Sequence, residues 1–413
     1  MKDEESGLMN PRLREVQPSL IEHQGAPFIM LKDPLGISPG VLLVPQPLAP
    51  LLGLCDGTRD LNGLIEALAF HTGIRLSLEN VEHVITQLDS ALMLDNEKYA
   101  RARKLSLDDF RSASCREAAL SGGGYPDNPE ELRRYLETFF SSASGNDDQS
   151  DNVRGVICPH IDFHRGGGVY AEVWSRANEA VRNSELVVIF GTNHMGGGNQ
   201  FALTRQSYAS PFGTLPTAVS VVDRLAQEIG HFSAFEEELY HRNEHSIELA
   251  LVWLHYMLDG RETEVLPILC GSFDRFIHGE YDPADNQEIS KVVAMLREIT
   301  RERNTLIVAA ADMSHVGPAF GDRKPVDETG RELIYEADAD LIDDMCHADA
   351  GAFFSRLKRD KDSRRVCGLS PIYMTLRMLE GSRGEVCAYE QCPADETNSS
   401  LVSICGVVLE QVT

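Results

Sequence analysis

The sequence predicts an α/β protein, with a mostly parallel sheet flanked by helices behind a small N-terminal winged-helix domain. Three observations carry this. From about residue 153 short, continuous apolar runs alternate with longer stretches of helical period, the pattern of strands buried on both faces between crossover helices. Residues 35–104 have a different organisation, with short helices close together. The chain of 413 residues is 42% hydrophobic, enough for two or three domains with real cores.

In chain order, 1–34 read as an irregular N-terminal segment. Its start, "MKDEESGLMN", is acidic and lacks the apolar stretch of a signal peptide. The domain at 35–104 opens with an apolar segment ending at Cys55 and the turn "DGTRD". A helix follows at 61–71, stopped by Gly73. A second spans 78–92, with Val81, Val84, Ile85, Leu88 and Leu92 on one face. "LMLDNEKYARARK" then reads as a strand or wing. Residues 105–152 are a linker and lead-in, in which Asn128 caps a helix beginning at Pro129. "SSASGNDDQSDN" reads as a polar, mobile loop. The domain at 153–413 has strands expected at 154–161, 186–191, 265–271, 305–311 and 401–409. Its helices are expected at 168–182, 217–228, 244–258, 288–301, 332–345 and 371–379.

The net charge of -26 disfavours nucleic acid and anionic membrane surfaces as partners. Residues 40–100 hold three basic side chains, Arg59, Arg75 and Lys98, so the winged helix is not read as a DNA binder. No apolar stretch approaches the roughly 20 residues that span a bilayer. The nine cysteines form no framework, and Cys158, Cys270 and Cys405 sit inside apolar runs. They read as reduced core residues, hence a cytoplasmic protein.

The chemistry gathers at strand ends. "GVICPHID" ends in His160 and Asp162, "LVVIFGTNH" in His194, and "TLIVAAADMSH" in Asp312 and His315. Ligands of open α/β sheets bind outside the carboxyl ends of the strands, so these side chains are expected to converge. The first two strands, joined by one helix, are expected to be neighbours. A histidine after a strand is also at home simply hydrogen-bonded in a core. Gly166–Gly168 let the chain turn into the next helix, or could cradle a phosphate, although G-x-G-x-x-G is absent. In "RNEHSIELALVWL", Asn243 is a cap and Glu244 is explained by the helix dipole, whereas His245 is not, and His245 shares a face with Glu248. In "RRVCGLSPIYMTL", Cys367 precedes a helix start, which predicts a lowered thiol pKa suited to a metal ligand or nucleophile.

The run "LLGLCDGTRDLNGLIEALAF" with "VEHVITQLDSALML" resembles the PqqD-like domains, which implies recognition of peptide leader segments. From about residue 124 onward, "CPHIDFHRGG", "FGTNHMG", "YASPFGTL", "NEHSIE", "AADMSHVG", "VCGLSPI" and "NSSLVSICGVVL", in that order, resemble the Memo family, protein B of the AmmeMemoRadiSam system. That resemblance implies a sheet similar to class III extradiol dioxygenases. It also implies metal ligands at His160, His194 and Cys367, with Asp312, His315 and His245 beside them as catalytic candidates. The family's "PHAGY" is here "PHIDF", placing Asp162 near the site, and Met195 stands where a second histidine is usual. His164 and His241 have no family counterpart.

Two imidazoles and a sulfur favour iron(II) first, with copper or zinc next, over magnesium or calcium. His315 reads as a general base oriented by Asp312. The expected function is a dioxygenase-like oxidoreductase acting on a small-molecule or peptide substrate. Alternatives are a non-catalytic metal-binding partner of radical-SAM and AMMECR1-like proteins, and a hydrolase with Cys367 as nucleophile.

Overall fold

The computed structural model describes residues 10–140, 152–196 and 198–412, so most of the loop expected to be mobile lies outside the described residues. The chain forms two compact units, 1–112 and 113–413.

In the first unit, strands β1 (Gln17–His23) and β2 (Ala26–Lys32) form a hairpin, and β3 (Leu42–Pro45) pairs with β2. The irregular reading of 1–34 is therefore corrected over Gln17–Lys32, residues 1–9 lying outside the described residues. Gln24 and Gly25 both take positive φ (+52° and +75°), the two-residue turn whose twist suits a hairpin. The strands escaped notice because β1 is exposed almost throughout and lacks alternation.

Helices Ala49–Leu54, Leu61–Thr72 and Leu78–Ser90 follow, and bury Leu51, Leu64, Leu68, Val81, Ile85 and Leu88 together. Asp60 and Ser77 cap the second and third, and Gly73 ends the second in the left-handed region. The strand expected after them is instead a helix, Glu97–Ser112. Asn96 caps it through the amide of Tyr99 at 3.1 Å, and its Ala, Arg, Lys and Leu content favours helix. β-structure thus precedes the three helices rather than following them.

The second unit has the expected class. Its sheet contains β4 (Val153–Cys158), β5 (Leu186–Thr192), β6 (Phe201–Leu203), β9 (Glu264–Cys270), β10 (Thr305–Ala310), β11 (His315–Val316), β12 (Arg383–Pro393) and β13 (Leu401–Glu410). The short hairpin of β7 (Tyr208–Ser210) and β8 (Gly213–Leu215) stands apart. The main order is β11-β13-β4-β10-β5-β9-β6, with β12 on β13. The central four, β4, β10, β5 and β9, run parallel, and antiparallel strands flank them.

The expected adjacency of β4 and β5 is corrected, because β10 lies between them. All six residues of β10 are buried, as suits a strand with neighbours on both sides and helices on both faces. This insertion brings Asp312 between the ends that carry His160 and His194.

Alternate strand residues feed two cores. Ile157, Val188, Leu266 and Ile307 pack on one face with helices Val219–Ile229, Gln287–Glu302 and Leu369–Met378. Val156, Val187, Val265 and Val308 pack on the other with Phe163–Arg176 and Ser246–Leu258. The first of the expected helices begins at Phe163, capped by Asp162, and takes in the three glycines. A Cβ on Gly167 would stand 2.4 Å from the Phe139 ring, so close packing accounts for that glycine without a phosphate.

Candidate metal centre

Each candidate ligand is delivered by the end of a regular element. β4 runs into Pro159 and His160, β5 into Asn193 and His194, and Cys367 stands two residues before the helix Leu369–Met378. The Cys367 Sγ is 3.2 Å from His160 Nε2. One donor atom from each of His160, His194 and Cys367 lies within 4.8 Å of the others. Gly368 permits this approach: a Cβ there would sit 2.5 Å from both the Ala311 Cβ and the Asp312 carbonyl oxygen.

The rings are oriented from behind. His160 Nδ1 donates to the Ala310 carbonyl at 2.9 Å, which leaves Nε2 as the free lone pair facing the sulfur. Asp312 Oδ1 accepts from the amides of His160 (2.7 Å) and Ile161 (3.1 Å), while its Oδ2 is 3.8 Å from His160 Nε2. Glu244 accepts from the His194 amide and ring Nδ1, both at 3.0 Å. It also accepts from the amides of His245 and Ser246, and its Oε1 is 3.2 Å from His245 Nδ1. The His194 and His245 rings stack at 4.8 Å, and His160 meets them edge-on at 4.9 and 5.4 Å. Three imidazoles, one thiol and two buried carboxylates are thus gathered in one place.

Electrostatics follow from burial. It lowers the His160 pKa far below normal, helped by its neighbours His194 and His245, so that ring is neutral. Burial opposes the charge on Glu244, but His194 and His245 overcome it and hold the carboxyl well below its usual range. Burial also opposes charge on His245, yet its bond to Glu244 prevails and raises its pKa. The expected lowering at Cys367 is corrected: burial, then the Asp312 carboxylate, push the thiol well up.

Other expectations are revised at the same place. Asp312 holds the main chain of His160 and Ile161 rather than the ring of His315, whose Nδ1 donates to the Met313 carbonyl at 3.0 Å. His315 is near enough for the charges of Asp312 and His194 to act on it. Asp162 is engaged as a helix cap and as the partner of Arg165. Glu244 was accounted for by the helix dipole, but it is 4% exposed and orients two rings. The signal for it lies in the sequence: an acid directly before a histidine, where the helix proper starts only at Ser246.

His194 and Cys367 line a cleft of about 520 Å³. Phe273, Ile277, Val366 and Leu369 supply apolar lining, and Lys361, Asp362, Asp274 and Arg365 supply charged groups. Asp362 titrates at about 6, because burial and then Asp360 raise its pKa.

His241 is structural. Its Nδ1 accepts from the Tyr208 hydroxyl at 2.5 Å and its Nε2 donates to the Ala202 carbonyl at 2.9 Å. Burial lowers its pKa to about 4. An unfolded chain would bind this proton near pH 6.5, so stability is level above that pH and falls as pH drops toward 4. The expected loss is up to about 3 kcal/mol, read by denaturant unfolding as the difference between wild type and His241→Gln across that window.

No described helix is long and apolar enough to cross a membrane. The Memo-like protein family matches residues 116–408. A MEMO1 family protein of Aquifex aeolicus is 28% identical over 409 residues, 97% of this chain and all of the relative, so that similarity includes most of the N-terminal unit. A MEMO1 family protein of Methanosarcina mazei is 29% identical over 279 residues, 66% of this chain and 91% of its own. One from Thermus thermophilus is 26% identical over 336 residues, 80% and 93% of the two chains. With most of the second unit matched, the cluster of His160, His194 and Cys367 sits on a protein that belongs to the Memo-like family.

Proposed function

We propose that this protein is a metal-dependent, dioxygenase-like oxidoreductase. The carrying observation is the meeting of Cys367 Sγ with His160 Nε2 at 3.2 Å, with His194 completing the group. The donor set fits a metal. Each imidazole has its other nitrogen tied to a carbonyl or carboxylate, the usual outer partner of a ligating histidine. Sulfur with two imidazoles suits iron(II), then copper or zinc. When bound, the metal supplies a redox-active Lewis-acid centre with coordination positions left open. His315, whose Nδ1–H is held by the Met313 carbonyl, is the candidate group beside the centre to take a proton from a substrate. The cleft beside Cys367 would hold a small molecule or part of a peptide.

The buried thiol, its pKa raised, gives no support to a resting cysteine nucleophile, whereas a bound metal would itself displace the thiol proton. A second reading, a metal-binding partner without turnover, draws support from the separate compact unit at the N-terminus. There a PqqD-like domain would recognise a peptide or protein, and radical-SAM and AMMECR1-like proteins are the partners proposed for a cytoplasmic AmmeMemoRadiSam system. Anaerobic purification with elemental analysis, followed by oxygen uptake with catechol-class and peptide substrates, separates these. Iron near one per chain and substrate-dependent uptake are expected. Bound metal with no uptake would favour the partner role, and the absence of any bound metal would end both.

A further inference from the structure

The segment leading into Cys367 is unusual. Within Asp360–Val366, Lys361 (φ +56°), Asp362 (+47°) and Arg365 (+56°) all take left-handed backbone, which disfavours side chains larger than glycine. Such strain persists where the surroundings enforce it, and the enforcing bonds are visible. Asp362 accepts from the Val366 amide at 2.9 Å and donates its own amide to Leu357 at 2.8 Å. The Arg365 amide reaches the Asp362 carbonyl at 2.9 Å, and Arg364 Nη1 reaches the Asp360 carboxylate at 2.7 Å.

What this strap grips is His315. The His315 amide donates to the Arg364 carbonyl at 2.7 Å, and the His315 carbonyl accepts from Arg365 Nε at 3.0 Å. Another nitrogen of the Arg365 guanidinium, Nη2, bonds Asp322, whose Oδ2 accepts from the Gly317 amide at 2.8 Å. Arg364 Nε also reaches Ser314 at 3.3 Å. Both main-chain groups of His315 therefore end on the two residues that precede Val366 and Cys367.

We propose that Arg365 is a positioning residue for His315. Its guanidinium braces the 315–317 segment at two points, steadies the His315 ring with its Nδ1–H on Met313, and couples that ring to the strap carrying Cys367. Only a planar fork of donors serves a carbonyl and a carboxylate together, so lysine does not replace it. The inference rests on the reading of His315 as the base beside a metal centre that includes Cys367.

The test uses the full chain with ring-15N histidine, in zinc-loaded and chelator-stripped forms, with the His315 signals assigned by loss in His315→Gln. Wild type is expected to show one His315 tautomer, protonated at Nδ1. Arg365→Met is expected to show a mixture, with the amides of His315 and Gly317 exchanging about tenfold faster and zinc stoichiometry unchanged. Arg365→Lys is expected to behave as Arg365→Met, and millimolar guanidinium to restore the single tautomer in Arg365→Met. Should Arg365→Met fail to fold, the partly exposed Asp322→Asn gives the same readout at smaller amplitude. A single Nδ1–H tautomer retained in these variants overturns the proposal, as does zinc loss with His315 unaltered, which would assign Arg365 to the cysteine instead. If wild type binds neither zinc nor iron, the metal reading fails, while the stripped protein still decides the role of Arg365.

Discussion

His160→Ala is expected to empty the metal centre. Its ring is the most constrained donor of the three, 2% exposed, pinned at Nδ1 by Ala310 and facing the sulfur at 3.2 Å. Losing an outer partner of a ligand typically weakens metal binding about 10–100-fold, so losing this ligand should exceed the upper figure. Glu244→Gln is the graded companion. It keeps the shape but weakens the hold on the His194 and His245 rings, and should cost about 10–100-fold. Competition titration against a chromophoric chelator reads both. The fold should survive in each, because the core packing of β4 does not depend on His160, and circular dichroism checks this. Metal retained by His160→Ala at wild-type affinity would place the ion elsewhere.

Much of this site was legible because the strands are short, mostly apolar and buried on both sides, so their ends stand out as abrupt changes to His, Asp and Asn. The five expected strands of the second unit each lie within about three residues of their observed ends. The order of the strands was not legible. Sequence neighbours usually pair, but β10 is as apolar as β4 and β5 and takes the central place. β12 was missed because its exposed edge carries Glu385, Glu390 and Arg383 and shows no clean alternation. In the first unit the hairpin of β1 and β2 is set by two turn residues rather than by a buried face. The role of Glu244 was hidden because a dipole explanation suffices for an exposed acid, and only burial shows that this acid is not exposed. Cys367 misled in the opposite sense: a helix start lowers a thiol pKa only when burial and a nearby carboxylate do not outweigh it.

Glu248→Ala should be the most destabilising single substitution in the surroundings of the site. Sequence spacing puts Glu248 on one face with His245, but its carboxylate is 0% exposed and turned away into a network of its own. It pairs with Arg116 and accepts from the amides of Ala119 (2.9 Å) and Leu120 (2.8 Å) and from the Tyr125 hydroxyl (2.5 Å). Removing it leaves the Arg116 guanidinium, 1% exposed, without a counter-charge, at a cost of about 3–5 kcal/mol. For a unit of this size that lowers the Tm by on the order of 10 °C. The damage should reach the centre, because Arg116 also donates to the carbonyls of His241 and Glu244, both at 2.8 Å, and so fixes the backbone from which Glu244 grips His194. Pairing Glu248→Leu with Arg116→Met tests this, because replacing both charges removes the stranded ion. The double variant should recover only the part of the lost Tm that belongs to the stranded ion, since the Ala119 and Leu120 amides and the Tyr125 hydroxyl still lack their acceptor, while metal affinity stays weakened because nothing then holds the Glu244 carbonyl. A Glu248→Ala protein melting within about 1 °C of wild type would mean that water reaches Arg116, and the buried network would not be what binds the lead-in segment to the sheet.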